Sequence, residues 1–276
     1  MKPRSCMPFS LFISSILTLC LFVPLFANDW EKMNLRGRVK QVTTTAWTVG
    51  TNGQTNLLSS DITVFSESGY VLETRSDTER IPHEYDNRGR EISVQTFDTN
   101  GKGSDKLTRK YDRKGRHIRD YYYDRFGDLT KYTSHWYDSE QRKAESITYD
   151  SSDVILDRTT YDYDRKTGKL FRLTIRSTGD NGTKTVVLYD GTGRETNRCN
   201  YSGKDNSISS RSTFLYDDKG DVVQEVKFNA EENRTRRWVT RYEYDRKGNP
   251  VKSMMTEALE TTEIPVLLTR FEYVYW

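Results

Sequence analysis

The chain has 276 residues, 43 basic against 40 acidic, with 30% charged residues, 34% hydrophobic residues and 12% aromatic ones, 18 of them Tyr. So even a balance removes the electrostatic case for a nucleic-acid partner. The abundance of Tyr, Thr and Val also excludes a disordered chain, because these residues suit a pleated, half-buried surface.

Lys2 and Arg4 precede a mainly apolar run from Phe9 to Phe26 that ends in Leu25-Phe26-Ala27. That order of charged, apolar and small residues predicts a Sec-type signal peptide over residues 1 to 27. Export would place the protein in the periplasm, on the cell surface or in the medium. Cleavage after Ala27 removes Cys6 and Cys20, leaving Cys199 as the one thiol and 41 basic against 40 acidic residues. No internal disulfide is then available, and the fold must be held by packing and strand pairing. No second apolar run is long enough for a spanning helix, so no integral helical span is expected once the signal is removed.

Residues 28 to 80 predict diverged cap strands ahead of a repeat domain over 81 to 276, the whole of 28 to 276 forming one continuous domain. Leu35-Arg-Gly-Arg-Val39, Trp47 and Phe65-Ser-Glu-Ser-Gly69 are degraded copies of a motif that becomes regular at Tyr85. Anchor aromatics followed by a turn signal fall at Tyr85, Phe97, Tyr111, Tyr123, Tyr137, Tyr149, Tyr163, Tyr189, Tyr201, Tyr216, Phe228 and Tyr244, with gaps alternating between 12 and 14 before small insertions accumulate. A unit of about 26 residues with two strands and two turns explains this.

The first turn of each pair is the tidier one. Tyr85-Asp86-Asn-Arg-Gly89, Tyr111-Asp112-Arg-Lys-Gly115, Tyr216-Asp217-Asp-Lys-Gly220 and Tyr244-Asp245-Arg-Lys-Gly248 share one chemistry. The Asp carboxylate can accept from backbone N–H groups two residues on, and Gly can adopt the positive φ that returns the chain to the next strand. Segments between turns are of strand length. Tyr161 and Tyr163, Val187 and Tyr189, Phe214 and Tyr216, and Tyr242 and Tyr244 share a face, while Lys110, Arg241 and Glu243 lie on the other. The expected fold is all-β: an antiparallel hairpin-repeat meander of about 14 or more strands, curled into a rolled sheet, open barrel or spiral so that its aromatic face is enclosed.

Tyr161-Asp-Tyr163-Asp164 and Tyr242-Glu-Tyr244-Asp245-Arg-Lys-Gly248 resemble the YD-repeat (RHS-type) family over roughly residues 83 to 255. The chain looks like the small exported bacterial members of that family. The resemblance implies curling hairpin sheets and a surface or carbohydrate-contacting role; the chain is too short to enclose a cargo domain.

No catalytic constellation emerges. His83, His117 and His135 lack metal-ligand spacing, and no metal or other cofactor is expected. Cys199 has no histidine nearby in sequence and is expected as a small buried hydrophobe. The carboxylates sit mostly in turns, where geometry explains their repetition. The expected function is therefore non-enzymatic binding or scaffolding in the cell envelope, with a protein or carbohydrate partner and no nucleic acid. Tyr122 and Trp136, expected on the face opposite the anchors, and Trp238 are the candidate binding residues. One alternative is a polysaccharide hydrolase using two turn carboxylates. Another is an outer-membrane β-barrel, suggested by the aromatic terminus Phe271-Glu-Tyr273-Val-Tyr275-Trp276 and opposed by charges within strands at Leu107 to Tyr111 and Arg236 to Tyr244.

Overall fold

A computed structural model describes residues 28 to 178 and 182 to 276; the expected signal peptide over 1 to 27 lies outside them. A single helical turn, α1 (Asp29–Lys32), precedes β1 (Val39–Val49), β2 (Thr55–Phe65), β3 (Val71–Ser76), β4 (Glu79–Tyr85), β5 (Glu91–Asp98) and β6 (Gly103–Tyr111). Next in the chain are β7 (His117–Tyr123), β8 (Leu129–Tyr137), β9 (Lys143–Asp150), β10 (Ile155–Tyr163), β11 (Leu170–Ser177) and β12 (Lys184–Tyr189). The last six are β13 (Glu195–Tyr201), β14 (Ile208–Tyr216), β15 (Val222–Phe228), β16 (Arg234–Tyr244), β17 (Pro250–Ala258) and β18 (Glu263–Tyr275).

Each strand pairs antiparallel with its sequence neighbours, and β1 also pairs with β18, from Val39 opposite Tyr275 to Thr48 opposite Leu267. The meander is a closed 18-stranded barrel, longer than the expected minimum and without the free edge of an open sheet. Residues 28 to 80, expected as a cap, hold α1, β1 to β3 and the start of β4, and β1 is the strand that makes the seam. Pro265 sits inside β18 opposite Thr256, at a register shift, the kind of bulge where a strand with two neighbours tolerates a residue lacking an N–H.

One rim carries the Tyr-Asp turns. There the Asp112 side chain accepts from the Arg116 N–H at 2.8 Å, Gly115 N–H bonds Asp112 O at 2.9 Å, and Gly115 has φ +86°. The turn that lacks glycine keeps the same geometry with Gln141 at φ 65°. The strand register jumps by one residue beside each of these turns, disrupting the ladder.

The anchor tyrosine is explained by that jump. Tyr111 Oη donates to Glu91 O at 2.7 Å, Tyr137 Oη to His117 O at 2.7 Å, Tyr163 Oη to Lys143 O at 2.8 Å and Tyr216 Oη to Glu195 O at 2.9 Å. In every case the acceptor is the residue that faces the preceding turn's tyrosine at the register shift. The Arg after each turn then lies over the next tyrosine: Arg90 over Tyr111 at 4.5 Å, Arg116 over Tyr137 at 5.1 Å and Arg142 over Tyr163 at 4.4 Å. The same arginines are ion-paired to their own turn's Asp86, Asp112 and Asp138. Each repeat is thus locked to the next around the rim. Replacing Tyr163 by Phe removes one such hydrogen bond while keeping the ring, and should cost about 1 kcal/mol in a urea melt. An unchanged midpoint would deny the phenol its role as a ladder substitute.

Residues 28 to 38 cross this rim. Asp29 accepts from Val71 N at 2.8 Å and Tyr85 Oη at 2.9 Å, while Asn34 Nδ2 donates to Lys219 O at 3.0 Å on a distant turn. Trp30 and Leu35 pack on Val39, Val42, Phe65 and Val71, the main apolar core, with Phe271, Tyr273 and Tyr275 beside it. Gly69 is required here twice over: its φ is +84°, and a Cβ would lie 2.5 Å from the Trp30 ring. Asn249, fully buried, accepts from Arg36 N at 2.7 Å and donates to Arg36 O at 2.7 Å and Tyr275 Oη at 2.9 Å.

Candidate functional site

A closed sheet of 16 to 18 strands is too wide for side chains to fill, and so encloses a lumen. Cross-strand register assigns each side chain to the lumen or the outer face. Tyr111, Tyr137, Tyr163, Tyr189, Tyr216, Tyr242 and Tyr244 point inward. The anchors of the other rim, Tyr123, Tyr149 and Tyr201, point outward, because the register jumps reverse the parity between rims.

The candidate binding residues are separated by this. Tyr122 faces the lumen opposite Leu107 and Lys131, half-buried, not the outer face expected for it. Trp136 does face outward, opposite Glu145, and is 42% exposed. Trp238 is 6% exposed on the lumen face, opposite Glu225 and Glu257, with Lys227 Nζ 4.9 Å from its ring. The three do not form one platform. Outside, Tyr121, Tyr132 and Tyr149 form a separate stripe, with centroids 6.2 Å and 4.9 Å apart, whose rings cover one another.

Inside, a cavity of about 570 Å³ lies under the N-terminal segment. Its wall is Leu173, Ile175 and Val187 with the rings of Tyr189 and Tyr216, and its polar groups include Arg198 and Asn200. Glu31 and Asn34 form its roof. Arg198 is oriented by Glu195, with Nε at 2.9 Å and Nη2 at 2.8 Å from the carboxylate. Asn200 is fixed between Thr185 Oγ1 at 2.9 Å and Ser210 Oγ at 3.0 Å. The polar groups are therefore preset on a rigid strand wall. This volume lies within the range of small-ligand sites, about 300 to 1,000 Å³.

On another part of the lumen wall the three histidines of the chain join one polar network across β4 to β10. His83 contacts Glu91, Glu91 contacts Arg109, and Arg109 Nε is 3.4 Å from Asp120 Oδ1. Asp120 also meets His117 Nε2 at 2.8 Å and His135 Nε2 at 3.0 Å, and His135 Nδ1 is 2.7 Å from Ser146 Oγ. Burial alone would raise the Asp120 pKa, but the bonds from His117 and His135 overcome it and hold the carboxyl far below the usual range. Burial pushes the His135 pKa down, so its ring is neutral at neutral pH. The partners of His135 are not visible in the spacing of residues 83, 117 and 135.

The Asp that follows each anchor tyrosine on this rim accepts from its own turn. The Arg90 side chain and the backbone N–H groups of Arg88 and Arg90 hold Asp86 below the usual carboxylate range, and Asp138 is held down by Arg142 against the penalty of burial. Cys199 is half-buried on β13, and burial raises its thiol pKa, which suits an unreactive side chain.

No family model and no curated protein matches this chain. Solved structures do. A porin-like protein from Bacteroides uniformis ATCC 8492 is 10% identical, with 86% of this chain and 96% of that one covered at a TM-score of 0.46. A porin-like protein from Bacteroides vulgatus ATCC 8482 is 13% identical, with 86% and 98% covered at 0.39. A TcdB2-TccC3-Cdc42 structure is 13% identical over 81% of this chain and 14% of the other, at 0.28.

Proposed function

We propose that this is an exported, non-enzymatic binding protein of the YD-repeat kind that holds a small envelope glycan in the lumen beneath its N-terminal segment. The observation that carries this is the cavity itself, in which two tyrosine rings and an aliphatic wall stand beside a preset guanidinium and carboxamide. Sugars present apolar C–H faces and a rim of hydroxyls, and amphipathic rings flanked by planar polar groups match both. The polysaccharide-hydrolase reading needs a carboxyl group free to hold a proton near neutral pH. Asp86, Asp112 and Asp138 are instead low-pKa acceptors tied to arginine. Asp221, which burial and the neighbouring Asp217 push up, is not free either: it shares the Tyr244 phenol with Asp217, accepting from Tyr244 Oη at 2.9 Å.

The outer face argues against a barrel that sits in a bilayer. Among the described residues no helix is long and apolar enough to cross one, and a barrel would cross with its strands. Lys110, Arg119, Arg158 and Arg176 form part of one cross-strand row, and Glu243, Lys252 and Arg270 part of another, both on the outer face. A lipid-facing surface requires an apolar band at those heights.

An array of envelope oligosaccharides tests the site. Ile175→Trp fills the cavity and should weaken retention at least about tenfold, since a ligand so excluded loses more than about 1.4 kcal/mol. Trp136→Ala should leave retention unchanged. The reverse result would move the site to the outer face, and released sugar would replace binding by hydrolysis.

A further inference from the structure

We infer that His117, Asp120 and His135 form a binding site for a single divalent transition-metal ion, with Zn²⁺ as the matching ion. Their ligand atoms lie within 4.8 Å of one another. Two imidazole Nε2 atoms converge on the two oxygens of one carboxylate, at 2.8 Å and 3.0 Å. Zn²⁺ bonds His nitrogen and Asp oxygen at about 2.0 to 2.2 Å, so tetrahedral ligand atoms stand about 3.3 Å apart. The two hydrogen-bonded pairs need open only slightly, and ligand atoms up to 4.8 Å apart must draw together, for an ion to take the place of the protons between them. Three protein ligands leave a fourth position for water or a ligand atom.

The surroundings suit an ion as well. The side chains are mostly shielded from solvent: His135 is 6%, Asp120 10% and His117 23% exposed. The His117 and His135 rings pack at a tilt of 48° with centroids 4.5 Å apart, and the Tyr137 phenol bonds the His117 carbonyl, so neither ring is a mobile surface group. Metal on Nε2 requires the proton on Nδ1, and His135 Nδ1 already faces Ser146 Oγ. A hydroxyl accepts as readily as it donates, and Tyr161 Oη, 3.4 Å from Ser146 Oγ, stands next along the chain of bonds. Arg109 lies beside Asp120 and is paired to Glu91, so its charge is offset by a second carboxylate, while Lys143 is the cation near His135. The donor set is imidazole and carboxylate without thiolate, which matches Zn²⁺ or Fe²⁺ and disfavours soft ions.

The protein, stripped with chelator and titrated with ZnCl₂ in a calorimeter, should take up one equivalent. His135→Gln and Asp120→Asn should each weaken binding more than about 100-fold, and Ser146→Ala, an outer-shell change, about tenfold. His83→Gln, which leaves the three ligands intact, should bind as the parent does. Imidazole NMR of the unaltered protein avoids any question of folding: Zn²⁺ should shift the Nε2 resonances of His117 and His135 and leave His83 in place. Absence of Zn²⁺ uptake, or an equal response of all three histidines, would overturn the assignment.

Discussion

Asn249→Ala is expected to cost about 3 kcal/mol and to release the N-terminal segment from the rim. The side chain is fully buried and bonds Arg36 at both its N–H and its carbonyl, with Tyr275 Oη as a third partner. Alanine strands the Arg36 N–H and carbonyl away from water, while Tyr275 Oη keeps its bond to Asp245, and each buried unsatisfied group costs about 1 to 3 kcal/mol. The loss spreads, because Arg36 also bonds Gly248 O and, at 2.8 Å, Lys219 O. A urea melt should show the lower midpoint, and protease should cut within residues 28 to 38 well before the barrel is attacked. An unaltered midpoint with an uncut segment would mean that the segment is held without Asn249, by the contacts of Asp29, Trp30, Asn34, Leu35 and Arg36. Because Glu31 and Asn34 roof the lumen cavity, the same variant should also speed ligand exchange.

Alkaline unfolding is the second large effect. Burial raises the phenol pKa of Tyr137 and of Tyr216 to about 12, and Tyr85, Tyr163, Tyr242, Tyr244 and Tyr273 are raised further. In the unfolded chain a phenol ionises near its ordinary value of about 10. Between those values the folded protein binds more protons than the unfolded one, so stability falls as pH rises. The contribution is fully present below about pH 10 and is lost progressively as pH climbs through the folded values. Since these phenols are the donors that bridge neighbouring strands, ionisation also removes hydrogen bonds around one whole rim. Far-ultraviolet circular dichroism and tyrosinate absorbance should change together in a cooperative step above about pH 10. Phenols that titrate smoothly at their ordinary pKa while the strands persist would contradict this.

Much of the fold was legible because its determinants are local. The two-residue alternation, the repeat period and the Asp and Gly of each turn act within a hairpin, and hairpin register is a short-range matter. The inward face of Tyr161, Tyr163, Val187 and Tyr189 follows from the same parity. Tyr122 shows where that reasoning breaks. Counting outward from Tyr123 assumes that all anchors share a face, whereas the register jump beside each Tyr-Asp turn reverses the count, so that Tyr111 points in and Tyr123 points out. The histidine cluster was illegible for a different reason. Residues 117, 120 and 135 lie on adjacent strands, and their meeting depends on that same shift, which no ligand-spacing rule encodes.

By itself the sequence determined an antiparallel hairpin meander with punctuated turns and an aromatic face, since propensity, periodicity and turn chemistry are properties of neighbouring residues. Tyr111-Asp112-Arg113-Lys114-Gly115 thereby declared itself a structural unit. The tertiary structure alone decided that β1 meets β18, because a seam between residues so far apart in the chain depends on the summed twist and stagger of all 18 strands. Closure in turn decided which face became a lumen, what roofs it, and which polar side chains share it.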